Sequence, residues 1–209
     1  MATRGKRQSK VGHSEAGSGD RKVAKPAVKP AAKPALTPAV KAAAKSAANG
    51  ARPRRYWLFK SEPESYSFAQ FERDGRTFWH GVRNYQARNL LRDDIQVGDG
   101  VLFYHSNAEP MAIVGIAEVV RGGYPDPTAF EPNSDYYDAD SDPSDPTWFL
   151  VDIACRAAMR TPVTRELCKQ EPALADMVLL QRGSRLSVQP VTADEWRTIL
   201  RLGGVTETW

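Results

Sequence analysis

The residue types best suited to ligand chemistry concentrate in residues 77–89, TFWHGVRNYQARN. Trp79 supplies a flat ring, Arg83 and Arg88 supply forked guanidinium donors, and Asn84 supplies a side-chain amide. Rings of this kind stack on flat heterocycles, while amides and guanidinium groups hydrogen-bond base edges or bind phosphate. The stretch lacks the i, i+3, i+4, i+7 apolar spacing of a core helix. It therefore indicates either one wall of a heterocycle pocket or an irregular loop whose tryptophan fills the core.

Side chains of similar type stand at or near the ends of two predicted buried strands, residues 56–60 and 101–105. A base can be read from a duplex only after extrusion, and stacking on an aromatic ring returns about 1–3 kcal/mol per base. Short polar groups at strand ends would read the base edge. Trp57 has a core role as its alternative, and Asn84 is also placed to cap a helix. The predicted base-binding set is Trp79, Asn84, Ser61, Tyr104, Ser106 and Trp57.

An arginine pair around Gly183 interrupts the apolar sequence before residues 186–191. A glycine kink of this kind often marks the close approach of a ligand or of another backbone. Cationic side chains near it would contact flanking phosphates, which position a nucleic acid without specifying its sequence. Ordinary surface charge is the alternative. The predicted phosphate-binding set is Lys60, Arg83, Arg88, Arg182, Ser184 and Arg185.

Charge divides the chain into two parts. Residues 1–55 hold fourteen Lys or Arg against two acids, a local net charge of +12, so the whole-chain value of +4 leaves −8 for residues 56–209. Residues 1–54 repeat Lys-Pro-Ala units without aromatic residues and are predicted to be a disordered basic tail. Residues 55–204 are predicted to form one domain. A flexible polycation binds nucleic acid by counterion release, although a solubilising linker is the alternative.

The coarse pattern of the second part predicts an α+β domain. It contains five to six short strands, including one at residues 177–180, with short flanking helices, and its two-sided apolar strands favour a partly closed barrel. Residues 124–147 form a long loop with five prolines and seven acids. We expect these acids to be solvated, with Tyr136 and Tyr137 as candidates for packing on the core.

Catalytic and metal chemistry are weakly supported. His80, His105 and Cys155 suggest nucleophilic catalysis, and Glu62 with Glu64 suggests an acid–base pair, but Cys155 lies in an apolar strand and the glutamates flank Pro63. The two cysteines lack CxxC spacing, and the acidic loop lacks the spacing of a calcium site. We expect no catalytic residue, no metal and no cofactor, with a small enzyme that acts on modified nucleotides as the alternative. Besides nucleic-acid binding and catalysis, a third hypothesis is a protein-interaction adaptor that uses the acidic loop.

Membrane and export signals are not evident in the sequence. No apolar run approaches the roughly 20 residues of a membrane span, and no apolar segment follows the basic N-terminus. We expect a monomeric, non-secreted protein that contacts no membrane. Its location would be the cytoplasm or nucleoid in a bacterium and the nucleus in a eukaryote.

Several motifs in a fixed order resemble the EVE domain family: YWLFKSEP at 56–63, WHGVRNYQARN at 79–89, FYHS at 103–106, WFLVD at 148–152 and QRGSRLSVQPV at 181–191. The resemblance implies a PUA-like pseudobarrel related to YTH domains. It also implies a reader of modified bases, with methylated or hydroxymethylated cytosine in DNA favoured and modified RNA as the alternative. His80 stands where the family often has Asp, and the acidic loop departs from the family pattern.

Overall fold

A six-stranded mixed sheet, in the order β2-β5-β4-β3-β1-β6, organises the computed structural model, which describes residues 52–183 and 185–206. Its strands are β1 (Tyr56–Ser61), β2 (Arg76–Phe78), β3 (Gly100–His105), β4 (Ala112–Pro125), β5 (Phe149–Thr164) and β6 (Val188–Val191). The α-helices are α1 (Phe68–Asp74), α2 (Tyr85–Asn89), α3 (Arg165–Gln170) and α4 (Ala193–Gly203). The predicted α+β class and strand number are confirmed. Residues 1–51 of the predicted tail lie outside the described residues.

Side-chain caps start the α-helices, and the cap at Asn84 is the one that the sequence analysis predicts. The Ser67 hydroxyl accepts from the Gln70 amide at 3.1 Å to begin α1. The Asn84 carboxamide oxygen accepts from the Ala87 amide at 3.1 Å to begin α2. Thr192 forms a reciprocal capping box at the start of α4. Each cap satisfies amide groups that the first helical turn leaves unpaired.

Strand β1 is buried on both faces, as predicted. It pairs in parallel with β3 and antiparallel with β6. Phe59 belongs to one apolar cluster, and Leu58 belongs to a second cluster on the other face, where α4 packs. In the parallel pair Ser61 lies opposite His105. Since parallel strands run in one direction, the carboxyl ends of β1 and β3 meet at a single sheet edge.

Gly115 permits helix α1 to approach the sheet closely. A Cβ atom at this position would lie 2.1 Å from the Phe68 ring, far inside van der Waals contact. The register between β4 and β5 shifts between Ile113 and Gly115. Glycine at position 115 is therefore a packing requirement of the Phe68 ring.

Three features of the fold differ from the sequence expectation. The predicted strand at residues 177–180 is wrong: Val178–Leu180 form a 3-10 turn, with Met177 and Leu179 buried. A short apolar run does not distinguish a buried strand from a buried helical turn. Strand β2 was not predicted, because three residues carry too little pattern and its partner β5 is distant in sequence. Strands β4 and β5, with 14 and 16 residues, are also longer than the short strands that the sequence predicts.

A buried carboxylate, Asp99, joins the beginning of β1 to the turn before β3. Asp99 is 2% exposed and accepts from the Trp57 indole at 2.8 Å. It also accepts from the Arg52 guanidinium at 2.7 Å and the Gln96 amide at 3.1 Å. A buried charge is tolerated when it is paired and hydrogen-bonded in this way.

Substitution of this carboxylate tests its structural role. Asp99→Ala removes the acceptor of the Trp57 indole and the Gln96 amide and the ion-pair partner of Arg52, and should lower the free energy of unfolding by about 3 kcal/mol. Urea denaturation of the full chain measures the change. Asp93→Ala, at an exposed aspartate of the preceding π-helical segment Leu90–Asp94, is the control and should change stability little. Equal stability of the two variants would contradict the anchoring role.

Candidate functional site

The carboxyl ends of β1 and β3 bring three predicted site residues together, Lys60, Ser61 and Ser106, which we call the strand-end group. Ser61 is buried, and its hydroxyl donates to the Tyr66 carbonyl at 2.7 Å. The Ser106 amide donates to the Ser61 carbonyl at 2.8 Å. The Lys60 amide donates to the Ser187 carbonyl at 2.8 Å, which brings the segment before β6 to the same edge.

The two predicted arginines of that segment are exposed and lie close to this edge in sequence. Arg182 and Arg185 precede β6, whose first residue, Val188, pairs with Phe59. Gly183 between them has φ of 79°, which produces a sharp turn. Ser184 lies outside the described residues. The antiparallel pairing therefore leads a short basic segment directly into the strand-end group.

Trp79 lies inside the domain, under the carboxyl-terminal halves of β1 and β3. It is 1% exposed, and its ring centroid lies 5.1 Å from that of Phe59 and 5.7 Å from that of Phe103. Leu186, which immediately precedes the Lys60 partner Ser187, packs on the same apolar cluster. Trp79 thus belongs to the apolar cluster on which Leu186, from the segment before β6, also packs.

The other two predicted stacking rings have packing positions. Trp57 is completely buried, with its indole bonded to Asp99 at the opposite end of β1. Tyr104 is 2% exposed and belongs to the cluster on the other sheet face, where burial raises its pKa to about 12. Because successive strand residues face opposite sides, Tyr104 cannot stand opposite Trp79 across a pocket. The prediction that Trp57 and Tyr104 bind the base is therefore corrected to a packing role for both.

Arg83, predicted to contact phosphate, instead anchors the acidic loop. Its guanidinium forms a 2.7 Å ion pair with Asp126, which is fully buried, and donates to the Tyr136 carbonyl and the Thr128 hydroxyl. The expectation that the acids of this loop are solvated is wrong for Asp126. Pro125 and Pro127 flank Asp126, and the carboxylate caps the 3-10 turn that follows. This capping pattern was the available sequence signal for its role.

Tyr136 packs on the core, as the sequence suggested, and Tyr137 is 46% exposed. The Tyr136 ring lies against Gly81, where a Cβ atom would come within 2.6 Å of the ring. Gly81 also has φ of 75°, which disfavours other residues. The Tyr136 ring meets His80 edge to face at 5.3 Å. The acidic loop is therefore docked on the beginning of the 79–89 stretch.

Two neighbouring aromatic rings between two cationic groups lead from the buried ion pair to the surface. The Arg83 guanidinium lies 5.3 Å from the Trp148 ring, and the Trp148 and Tyr85 ring centroids are 5.0 Å apart. The Arg88 guanidinium lies 5.1 Å from the Tyr85 ring. We call Arg83, Trp148, Tyr85 and Arg88 the cation–aromatic ladder. The exposed fraction of its two aromatic residues rises from 6% at Trp148 to 63% at Tyr85.

Two polar side chains on or near α2 have their own assigned contacts. Arg88, predicted to contact phosphate, donates to the Thr147 carbonyl at 2.5 Å and to the Asn89 carboxamide at 2.8 Å. Asn84 is exposed, and its oxygen is used by the helix cap. The cap leaves the Asn84 NH2 group to serve as a donor. Asn84 can therefore combine its predicted site role with capping, whereas Arg88 is held against the loop.

The proposed catalytic groups have inert environments. Burial, with the nearby Glu72 charge, raises the pKa of the Cys155 thiol to about 11, so the thiolate is scarce near neutral pH. His105 accepts from the Phe68 amide at 3.1 Å, and burial lowers its pKa. Glu62 accepts from the Asn107 carboxamide at 2.9 Å. Within the described residues, no group of three metal-ligating side chains is positioned to hold a metal ion. The same part of the chain has no helix with the length and apolarity needed to cross a membrane.

Comparisons with known proteins give a consistent result. The EVE domain model matches residues 55–202. Human thymocyte nuclear protein 1 is 39% identical over 166 residues, which are 70% of this chain and 73% of the human protein. A Pseudomonas syringae protein structure is 44% identical, with a TM-score of 0.68, over 71% of this chain and 99% of that chain. A structure of human THYN1 in complex with 5-methylcytosine-containing DNA is 35% identical, with a TM-score of 0.67, over 73% and 99% of the two chains.

The Arg83–Asp126 pair predicts a specific dependence of stability on pH. Burial alone would raise the Asp126 pKa, but hydrogen bonds from Thr128 and Arg83 and the Arg83 charge hold it below the usual value. A depressed folded-state pKa contributes stability above the unfolded-state pKa of about 3.9, and that contribution is lost as the pH falls through the folded-state value. Asp126→Asn should lower the free energy of unfolding at neutral pH by about 3 kcal/mol and reduce its further fall in acid.

Urea denaturation between about pH 7 and pH 3 measures both effects, since this range spans the unfolded-state pKa of Asp. Asp140→Asn, which changes an exposed carboxylate of the same loop by the same chemistry, controls for net charge. An Asp126→Asn variant with unchanged stability at neutral pH and an unchanged acid response would contradict the anchoring role of the ion pair.

Proposed function

Since this chain belongs to the EVE domain family, we propose that it is a non-catalytic reader that binds DNA and captures a modified base of the 5-methyl- or 5-hydroxymethylcytosine type. The observation that carries the proposal is the presence of 5-methylcytosine-containing DNA in the human THYN1 complex. The family match spans the strand-end group, Trp79, Asn84 and the basic segment before β6. The chain therefore carries the elements from which such a site would be built.

In this proposal the extruded base enters at the strand-end group. Ser61, Ser106 and the Asn84 NH2 group present short polar atoms from rigid element ends, which suits hydrogen bonding to a base edge. Trp79, whose ring is buried beside Phe59 and Phe103, would form the inner wall. Trp57 and Tyr104 support the sheet from their packing positions.

Phosphate contacts in this proposal come from Lys60, Arg182 and Arg185, with Ser184 as the predicted fourth member. Lys60, Arg182 and Arg185 would form a local basic rim. Such a rim is needed because residues 56–209 carry a net charge of −8, which disfavours DNA binding over a broad surface. Phosphate contacts fix the register of the nucleic acid, and the base contacts supply discrimination. Residues 1–54, with their excess of Lys and Arg, add affinity that does not depend on sequence.

A binding role agrees with the environment of the groups considered for catalysis. Burial raises the pKa of the Cys155 thiol to about 11, and the His105 Nε2 atom accepts a hydrogen bond from the Phe68 amide. Capture of a base requires stacking and hydrogen-bond groups, and no activated nucleophile. The chain is accordingly proposed to release the base unchanged.

Binding of the full chain to matched duplexes that differ at one cytosine tests the proposal. The duplex with 5-methyl- or 5-hydroxymethylcytosine should bind more tightly than the unmodified one. Ser106→Ala removes an edge contact and should reduce this preference several-fold, in line with a lost hydrogen bond of about 1 kcal/mol. Arg185→Ala removes a phosphate contact and should weaken both duplexes alike, with a salt dependence reduced by about one counterion.

Arg197→Ala provides the matched control, because Arg197 is an exposed arginine on α4. It should leave the preference and the salt dependence unchanged. An RNA of the same sequence, with and without the methyl group, forms a parallel set. Equal affinity of the unchanged chain for modified and unmodified DNA would overturn the DNA-reader proposal, and a preference confined to the RNA set would transfer it to RNA.

A further inference from the structure

Tyr85 is an exposed aromatic ring held in a fixed position. It is 63% exposed and lies at the first position of α2. The inner side of this segment is fixed by Ala87 and Leu91, which are completely buried. Tyr85 therefore points outward from a helix whose orientation the core determines.

The neighbours of Tyr85 hold its ring in place. Trp148 stacks on it at 5.0 Å, with ring planes inclined by 33°, and the Arg88 guanidinium lies 5.1 Å from its centroid. Arg88 is itself fixed by its bond to the Thr147 carbonyl. The Arg83–Asp126 pair holds the inner end of the same ladder. A single exposed ring is common on protein surfaces. This one is supported from the inside by Trp148, then Arg83, then Asp126.

We propose that Tyr85 is a stacking platform for the nucleotide next to the captured base. Extrusion of one base removes a stacking partner from each neighbour. A ring that is already ordered replaces such a partner with little loss of side-chain entropy, because Trp148 and Arg88 already restrict its rotation. Arg88 adds a cation beside the ring, which complements the phosphate backbone. This role rests on the proposed function and assigns Tyr85 a contact outside the base pocket.

The platform explains why the stretch 79–89 combines two kinds of aromatic residue. Trp79 is buried in the apolar cluster, whereas Tyr85, six residues later, is open to solvent. Asn84, between them in sequence, is also exposed and precedes α2 directly. One short segment thus supplies an inner ring, an edge donor and an outer ring, which suits a nucleotide and its neighbour.

Binding of full-chain variants to a duplex with one 5-methylcytosine tests the platform. Tyr85→Leu keeps an apolar side chain but removes the π face, and should weaken binding about tenfold. Tyr85→Phe keeps the face and should bind like the unchanged chain. Tyr137→Leu, the same change at another exposed tyrosine, is the matched control and should have no effect. Because Tyr85 is exposed, thermal unfolding should show all three variants folded.

A second comparison locates the stacked base. Duplexes with an abasic site on either side of the 5-methylcytosine remove one neighbour at a time. In one of them Tyr85→Leu should lose most of its tenfold effect, because the two changes delete the same contact. An undiminished effect in both abasic duplexes would overturn the assignment to a neighbouring base.

The remaining outcomes separate this proposal from the reader proposal. Unchanged affinity of Tyr85→Leu, an equal loss in Tyr85→Phe, or an equal loss in Tyr137→Leu would each overturn the stacking platform. If the unchanged chain still prefers the methylated duplex, the reader proposal stands in all three cases. Loss of that preference in the unchanged chain itself would overturn the reader proposal first.

Discussion

The ion pair between Arg83 and Asp126 is the interaction on which the candidate site most depends. It lies where the aromatic stretch 79–89 meets the acidic loop, and Asp126 is completely buried. A buried carboxylate of this kind requires its cation, so the two segments cannot separate without a large electrostatic cost. The same guanidinium backs Trp148, which in turn backs Tyr85. One charged contact therefore determines both the docking of a long loop and the position of an exposed ring.

Parallel pairing of β1 with β3 supplies the second constraint. It places Ser61 opposite His105 and brings Ser106 beside the end of β1. Antiparallel pairing with β6 then adds the basic segment before Val188. The strand-end group and the basic segment thus come from three segments that the sheet holds together. Rigid strand ends of this sort keep a recognition site in position before the ligand arrives.

Much of the fold follows from local sequence pattern. The apolar β1, the caps at Ser67 and Thr192 and the turn at Gly98 are short-range features that residue type alone indicates. The short strand β2 and the 3-10 turn at Val178–Leu180 are different, because distant partners decide them. Local pattern cannot state which part of the chain will complete a three-residue strand.

The candidate site shows the same division between residue type and long-range contact. The polar groups at the ends of β1 and β3 follow from the strand pattern, and the structure does bring them together. The side of the sheet on which Trp79 packs and the ion-pair partner of Arg83 do not follow from it. Strand alternation places Tyr104 away from Trp79, and the partner of Arg83 lies 43 residues along the chain. The sequence around an arginine looks the same whether the arginine binds a ligand or pairs with a buried aspartate. Residue type alone therefore could not distinguish the two roles for Arg83.

Extrusion of the modified base is the central claim, and fluorescence from a neighbouring base reports it most directly. A duplex that carries 2-aminopurine beside one 5-methylcytosine would be titrated with the full chain. The fluorescence should rise on binding, because removal of the methylated base unstacks its neighbour, and the matched unmodified duplex should give a smaller rise at equal occupancy. Tight binding of the methylated duplex with no change in fluorescence would contradict the account.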